Sequence, residues 1–161
     1  MFENELAINR FQLGLLEKVV HDLSEDRWFL HGAGHGHSPA WILGHLAIVA
    51  ELGLSFLGGK VTHPEWIPMF GPGSMDAIVA SHELSKAPLL AATLQNYRDF
   101  QSQIGSSPAE VYAKPHGIGL FEGTPVQTVG HLTTLLLTNH FGFHLSQLSS
   151  CRRELGFPAL F

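Results

Sequence analysis

The chain has little cysteine, little charge and few basic residues. Cysteine occurs once, at Cys151, among 161 residues. A lone thiol excludes an internal disulfide and a zinc site built from several cysteines, and it fits a reducing compartment. Charged residues make up 14% and hydrophobic ones 45%, the balance of a globular protein with a well-filled core. Lysine and arginine number 9 against 14 acids, a formal net charge of −5. Apart from Arg152-Arg153 there is no basic cluster, which argues against a nucleic-acid surface. The opening MFENELAINRF carries acids early and has no apolar signal core. No apolar run is read as long enough to span a bilayer. No E-x-x-H motif occurs, which argues against a carboxylate-bridged di-iron bundle. The expectation from these absences is a soluble cytoplasmic protein with no nucleic-acid and no membrane partner. Its length fits one domain over residues 1–161, able to bury roughly two-thirds of the surface of the unfolded chain.

What the chain has is helical periodicity. Leu6, Phe11, Leu15, Leu16, Val19, Val20 and Leu23 predict a first helix from Glu3 to Leu23. His31-Gly32-Ala33-Gly34-His35-Gly36-His37 then breaks regular structure. Ser38-Pro39 opens a second helix as cap and first residue, and Gly58-Gly59 ends it. His45 shares the stripe of Trp41, Ile48, Val49 and Leu52, so it points into the protein. From Lys60 to Ser81, Pro64, Pro68, Gly71, Pro72 and Gly73 deny a long helix. Trp66, Ile67, Met69 and Phe70 are nevertheless too apolar for a free linker. This predicts a long structured connection folded onto the bundle, with a turn of helix at 75–80. Trp66 and Phe70 would cover a pocket or seal the end of the bundle. A third helix follows to Ile104, carrying Leu90, Leu94 and Tyr97 on one side. Thr124-Pro125-Val126-Gln127 reads as the capping box of a fourth. Arg152-Arg153 followed by Gly156 and Pro158 reads as its stop. Four helices with no competing strand pattern predict an all-α four-helix bundle.

Histidine is abundant, at 11 residues. His140 and His144 fall inside the fourth helix, one turn apart on one face, where each could give a nitrogen to the same metal ion. Spacing alone decides little. At this histidine content an i, i+4 pair arises by chance about 0.7 times per chain, and His31 and His35 form another. Asn139 and Gln147 flank the pair, and Gln147 either orients a ligand ring or caps a polar gap. Cys151 lies on the same stripe about 10 Å further along the axis, too far for ligation. His131 points away from the stripe. His31, His35 and His37 either line a site mouth, bind a second ion or form a solvated loop. Glu51 is set at the wrong angle to serve His45 as an acid or base.

Trp41-Ile42-Leu43-Gly44-His45-Leu46 resembles the W-x-x-x-H-L pattern of the DinB/YfiT-like superfamily of metal-dependent four-helix-bundle proteins. His140-Phe141-Gly142-Phe143-His144-Leu145-Ser146-Gln147-Leu148, with Arg152 and Leu155-Gly156, resembles its H-x-x-x-H-x-x-Q pattern. Ser146 stands where the family has glycine. The resemblance implies a four-helix bundle of non-ferritin topology, often a homodimer. It implies a divalent metal held by His45, His140 and His144, with zinc expected first and nickel, iron or manganese as alternatives. Three imidazoles on a tetrahedral zinc leave one position for water or a thiol, whose proton the charge would loosen. Characterised relatives include transferases and isomerases that use low-molecular-weight thiols. The expected function is therefore a metal-dependent enzyme on a small-molecule substrate, of thiol-dependent transferase or hydrolase type, with no catalytic residue assigned. The alternative is a non-catalytic bundle with a structural ion or a sequestering role. Protons compete for imidazole nitrogen, so metal affinity is expected to fall below the reference histidine pKa of about 6.5.

Overall fold

The computed structural model describes residues 1–31, 36–79, 81 and 84–160. His35 lies outside them. Four long helical segments form the bundle: α1 (Glu3–His21), α2 (Pro39–Phe56), α4 (Lys86–Ser106) and a final composite helix. Two short helices, α3 (Ile67–Phe70) and α5 (Ala109–Tyr112), lie in the connections. The final helix comprises α6 (Val129–Leu135), a π-turn (Leu136–His140) and α7 (Phe141–Glu154). The first helix stops at His21, two residues short of the expected Leu23.

Chain chemistry explains the main boundaries. Glu3 and Glu5 sit in the first turn of α1, and Lys18 and His21 in its last, complementing the helix dipole. At α2 the Ser38 hydroxyl accepts from the Trp41 N–H at 3.2 Å. The expected capping box at Thr124 is a turn instead. The Thr124 hydroxyl accepts from the Val126 N–H, and the Gln127 amide donates back to the Phe121 and Thr124 carbonyls. Residues 126–129 pair with 114–116, through His116 N–H to the Gln127 carbonyl and Val129 N–H to the Lys114 carbonyl. That pairing keeps the segment extended. The helix then starts one residue past Thr128, whose hydroxyl accepts from the His131 N–H at 3.2 Å.

The sequence pattern did not predict the π-turn, yet the burial pattern contains it. As far as Leu137, the second residue of the turn, the buried positions are Val129, Leu132, Thr133, Leu136 and Leu137. A continuous α-helix would place the next ones near 140, 143, 144 and 147. The observed ones are Phe141, His144, Leu145, Leu148, Cys151 and Arg152. The stripe has stepped forward by one residue, as one extra residue in a turn requires.

α1 packs on α7 and has a narrower edge on α4, while α2 packs on α4 and α7. Thus α1 and α2 face each other across the bundle. α2 is the most enclosed helix, with Ala40, Ile42, Leu43, Leu46, Ala47, Ile48 and Ala50 fully buried. Among the described residues it is also the one helix whose length and composition would let it cross a membrane, contrary to the expectation from the sequence. Its apolar window is 78% buried within the fold, as expected of a core helix.

The long connection between α2 and α4 runs back along α2. Its helical turns lie at Pro64–Trp66 and Ile67–Phe70, while residues 75–79 are not helical, contrary to expectation. Glu51, buried on α2, anchors the connection. Its carboxylate accepts from the Thr62 and His63 N–H groups, the Thr62 hydroxyl, the His63 ring and the Asn96 amide, at 2.5 to 2.9 Å. Burial opposes its charge, but these donors outweigh burial and hold the carboxyl below its usual range. Two turns back, the Phe70 ring fills the notch at Gly44, where a Cβ would lie 2.3 Å from ring carbons. Farther back, Trp41 Nε1 donates to the Ser74 hydroxyl and the Ser38 N–H to Asp76.

Glu51→Gln replaces one acceptor oxygen with a donor that faces other donors. A loss of about 1–3 kcal/mol in urea denaturation at neutral pH is expected. A carboxyl with a depressed folded pKa stabilises the fold above its unfolded value and loses that contribution as pH falls through the folded one. The variant should therefore show a shallower acid limb than the wild type, and an unchanged limb would count against the anchoring role.

Candidate metal centre

His45 from α2, His140 from the end of the π-turn and His144 from α7 come together. One ligand atom from each lies within 4.8 Å of the others. His45 and His140 approach through their Nε2 atoms at 3.1 Å. Two nitrogens on one tetrahedral zinc lie about 3.4 Å apart at ordinary Zn–N lengths. Among the described residues no fourth histidine, cysteine or carboxylate joins the group.

The outer nitrogens set which inner lone pairs are free. His45 Nδ1 lies 2.6 Å from the Phe70 carbonyl, which can only accept, so Nδ1 carries the proton and Nε2 is bare. His144 Nδ1 donates to Gln147 Oε1 at 2.7 Å, which again leaves Nε2 bare. Gln147 thus orients the His144 ring. This outer hydrogen bond is the usual partner of a metal-ligating histidine. His140 differs: its Nδ1 is buried and has no partner among the described residues.

Trp41 is the platform of the pocket. Its indole stacks on His45 at 4.6 Å and 9° between planes, and His37 stacks on its other face at 3.7 Å and 11°. His37 and the half-exposed His31 lie 4.0 and 3.7 Å from the buried Asp76 carboxylate. Neither histidine joins the triad. His131 is exposed and accepts from the Gln127 N–H, away from the site. Cys151 is buried in the core, and burial pushes its thiol up to about 12, so it stays protonated. Trp66 and Phe70 are both buried against the core. Phe70 does more than seal, since its carbonyl fixes the His45 tautomer. The sequence reading missed this contact because a main-chain acceptor leaves no residue-type signal. It also passed over Trp41 as a stacking partner, although the tryptophan one turn before His45 was visible.

Burial keeps all three rings neutral. It depresses His45, with the Phe70 hydrogen bond acting in opposition. It takes His140 down to about 4, with help from neighbouring His45. It takes His144 down to about 3, with help from His140 and His45 and against the Gln147 hydrogen bond. Neutral imidazoles are the form a metal ion requires. The arrangement thus presents bare nitrogens at neutral pH without first shedding protons.

A family model described as the DinB superfamily matches residues 10–148, a span that includes all three histidines. No curated protein and no solved structure matches the chain.

These shifts move the pH window expected from the reference pKa. In the folded protein, protons compete for His140 and His144 only near pH 4 and below. The unfolded chain takes up its protons near 6.5. Folded pKa values below the unfolded ones give stability that is complete above about 6.5 and is lost as pH falls toward about 4, at up to about 1.4 kcal/mol per pH unit for each ring. Urea denaturation of chelator-treated protein at pH 7.5, 6 and 5 should show this loss, and His144→Ala should flatten it. Calorimetric metal affinity, measured on folded protein, should begin to fall at a lower pH than the reference histidine value of about 6.5 predicts. Affinity that already collapses at pH 6 would mean that the rings are not held neutral by burial.

Proposed function

This chain belongs to the DinB superfamily, and from that premise we propose that it is a divalent-metal protein acting on a small molecule, with His45, His140 and His144 as the ligands. The observation that carries the reading is the pair of outer hydrogen bonds, from His45 to Phe70 and from His144 to Gln147. They turn two bare nitrogens toward one point beside a third ring. An all-nitrogen donor set suits zinc first, with nickel, iron and manganese as alternatives. Bound there, a divalent ion would supply Lewis acidity and lower the pKa of a thiol or water brought to its free position. Phe70 and Gln147 hold the rings of His45 and His144 and fix their tautomers. The lack of a fourth protein ligand among the described residues supports an enzyme over a purely structural ion. We place the reaction among thiol-dependent transfers or hydrolyses, with a low-molecular-weight thiol as partner, in the reducing cytoplasm that a single buried cysteine suits.

Protein purified without an affinity tag should carry close to one divalent ion per chain by elemental analysis. His140→Ala should lose most of it and the triple alanine variant all of it. Full occupancy in the triple variant would remove the site assignment. A screen of small thiols against model electrophiles, with and without chelator, tests the transfer reaction. Turnover insensitive to the chelator would refute a metal-dependent one.

We also propose a homodimer. Phe11 is 67% exposed on α1 and Phe143 57% exposed on α7. Phe11 also lines, with Ile8, Leu15 and Leu145, a groove of about 640 Å³. Apolar surface of this kind suits a self-complementary contact. Light scattering should give twice the chain mass, and Phe11→Glu should give a monomer. A wild-type monomer at all concentrations would refute the dimer.

A further inference from the structure

His45 and His144 are each held by an outer hydrogen bond, and His140 is not. Its position is therefore set by the backbone that carries it, and that backbone is the π-turn Leu136–His140. The one-residue step described above places His140 at the flank of the α7 buried stripe, where it is half-buried. A continuous α-helix would set it in the middle of the core face.

A π-turn is rare because it loosens the ladder of backbone hydrogen bonds, and the carbonyls it displaces need other donors. Here α1 sends side-chain donors to two carbonyls of the turn, those of Leu137 and Thr138, the second of which also accepts from the Phe141 N–H. Asn9, fully buried in the middle of α1, donates from Nδ2 to the Leu137 carbonyl at 2.8 Å. Its Oδ1 in turn accepts from Gln101 of α4 at 2.7 Å. One turn along α1, Gln12 donates to the Thr138 carbonyl at 3.3 Å. The Thr138 hydroxyl donates to the Thr134 carbonyl at 2.7 Å. A buried asparagine with both ends of its amide engaged by other helices is costly to keep unless it holds something in place.

We infer that Asn9 is a positioning residue for the metal centre: it holds the π-turn open and so places His140 where it can ligate. The inference rests on the metal reading above. It assigns to α1, which contributes none of the three histidines, control of how tightly the ion is held. Partners beyond the ligand shell typically change metal affinity by about 10- to 100-fold when removed.

The test is cobalt(II) affinity by calorimetry, together with the visible spectrum of the cobalt-loaded protein, which reports ligand number and geometry. Asn9→Leu, which removes both hydrogen bonds at similar volume, should weaken cobalt binding by about tenfold or more and alter the spectrum. Tyr112→Phe removes a buried hydrogen bond to the Ile104 carbonyl far from the site, and it should leave both unchanged. In a His140→Ala background Asn9→Leu should cause no further loss, since the ring it positions is gone. If Asn9→Leu does not fold, the shorter Asn9→Ser, which also cannot reach Leu137, is read in the same way. Wild-type affinity and spectrum in a folded Asn9 variant would overturn the inference, as would an equal loss with and without His140. A wild-type protein that binds no cobalt would instead overturn the metal reading, and the inference with it.

Discussion

Three imidazole rings share one buried pocket, and burial of that kind favours the uncharged form of each. Desolvation depresses each ring; His45 adds to the effect at His140, and His140 and His45 add to it at His144. Much of the surrounding structure follows from this constraint. The outer nitrogens of His45 and His144 still need acceptors, so a carbonyl and an amide oxygen must reach them. Among the described residues no carboxylate joins the rings to favour their protonated form. The buried carboxylates of Glu51 and Asp76 are both engaged elsewhere, by the connection and by the α2 N-terminus.

The long connection is the part of the fold that meets this need. It runs antiparallel along one stripe of α2 and touches it at Glu51, Gly44, Trp41 and Ser38, positions spaced by seven, three and three residues. That spacing is one helix face read from end to end. Each contact is made by a different kind of group: a carboxylate, a steric notch, an indole N–H and a capping-region amide. Between the first contact and the third, the Phe70 carbonyl reaches His45. A free loop could not hold a carbonyl 2.6 Å from a buried ring, because the ordering entropy would be spent on a single hydrogen bond.

Helices and the enclosure of Trp66 and Phe70 were legible in the sequence because each rests on side-chain type and spacing; the triplet His45, His140 and His144 came from the resemblance of two motifs to a family, and the structure brings the three rings together. Features made by the main chain were not legible. Nothing in the letters announces the Phe70 carbonyl, and the pairing of 114–116 with 126–129 overrode a good capping box at Thr124. The π-turn sits between these cases. Its signal, an apolar stripe that slips by one residue between Leu137 and Phe141, was present, but a count of i, i+4 matches centred on His140 and His144 runs straight through it. Asn9 shows the same limit. A single polar residue on the buried side of α1 looks like noise until its partner carbonyl is in view.

The notch at Gly44 has a consequence for how this chain can vary. Phe70 contributes its ring to the packing and its carbonyl to His45, but only the ring depends on which amino acid occupies the position. Any residue at 70 keeps the carbonyl, so the hydrogen bond to His45 places no direct demand on the side chain there. The demand comes from the other side of the contact, where a Cβ at 44 would strike the ring. Positions 44 and 70 are thus a lock and key of volume: among relatives that share the histidines, a larger residue at 44 should travel with a smaller one at 70. Such a paired exchange would leave the tautomer of His45 intact while every side chain in the contact had changed.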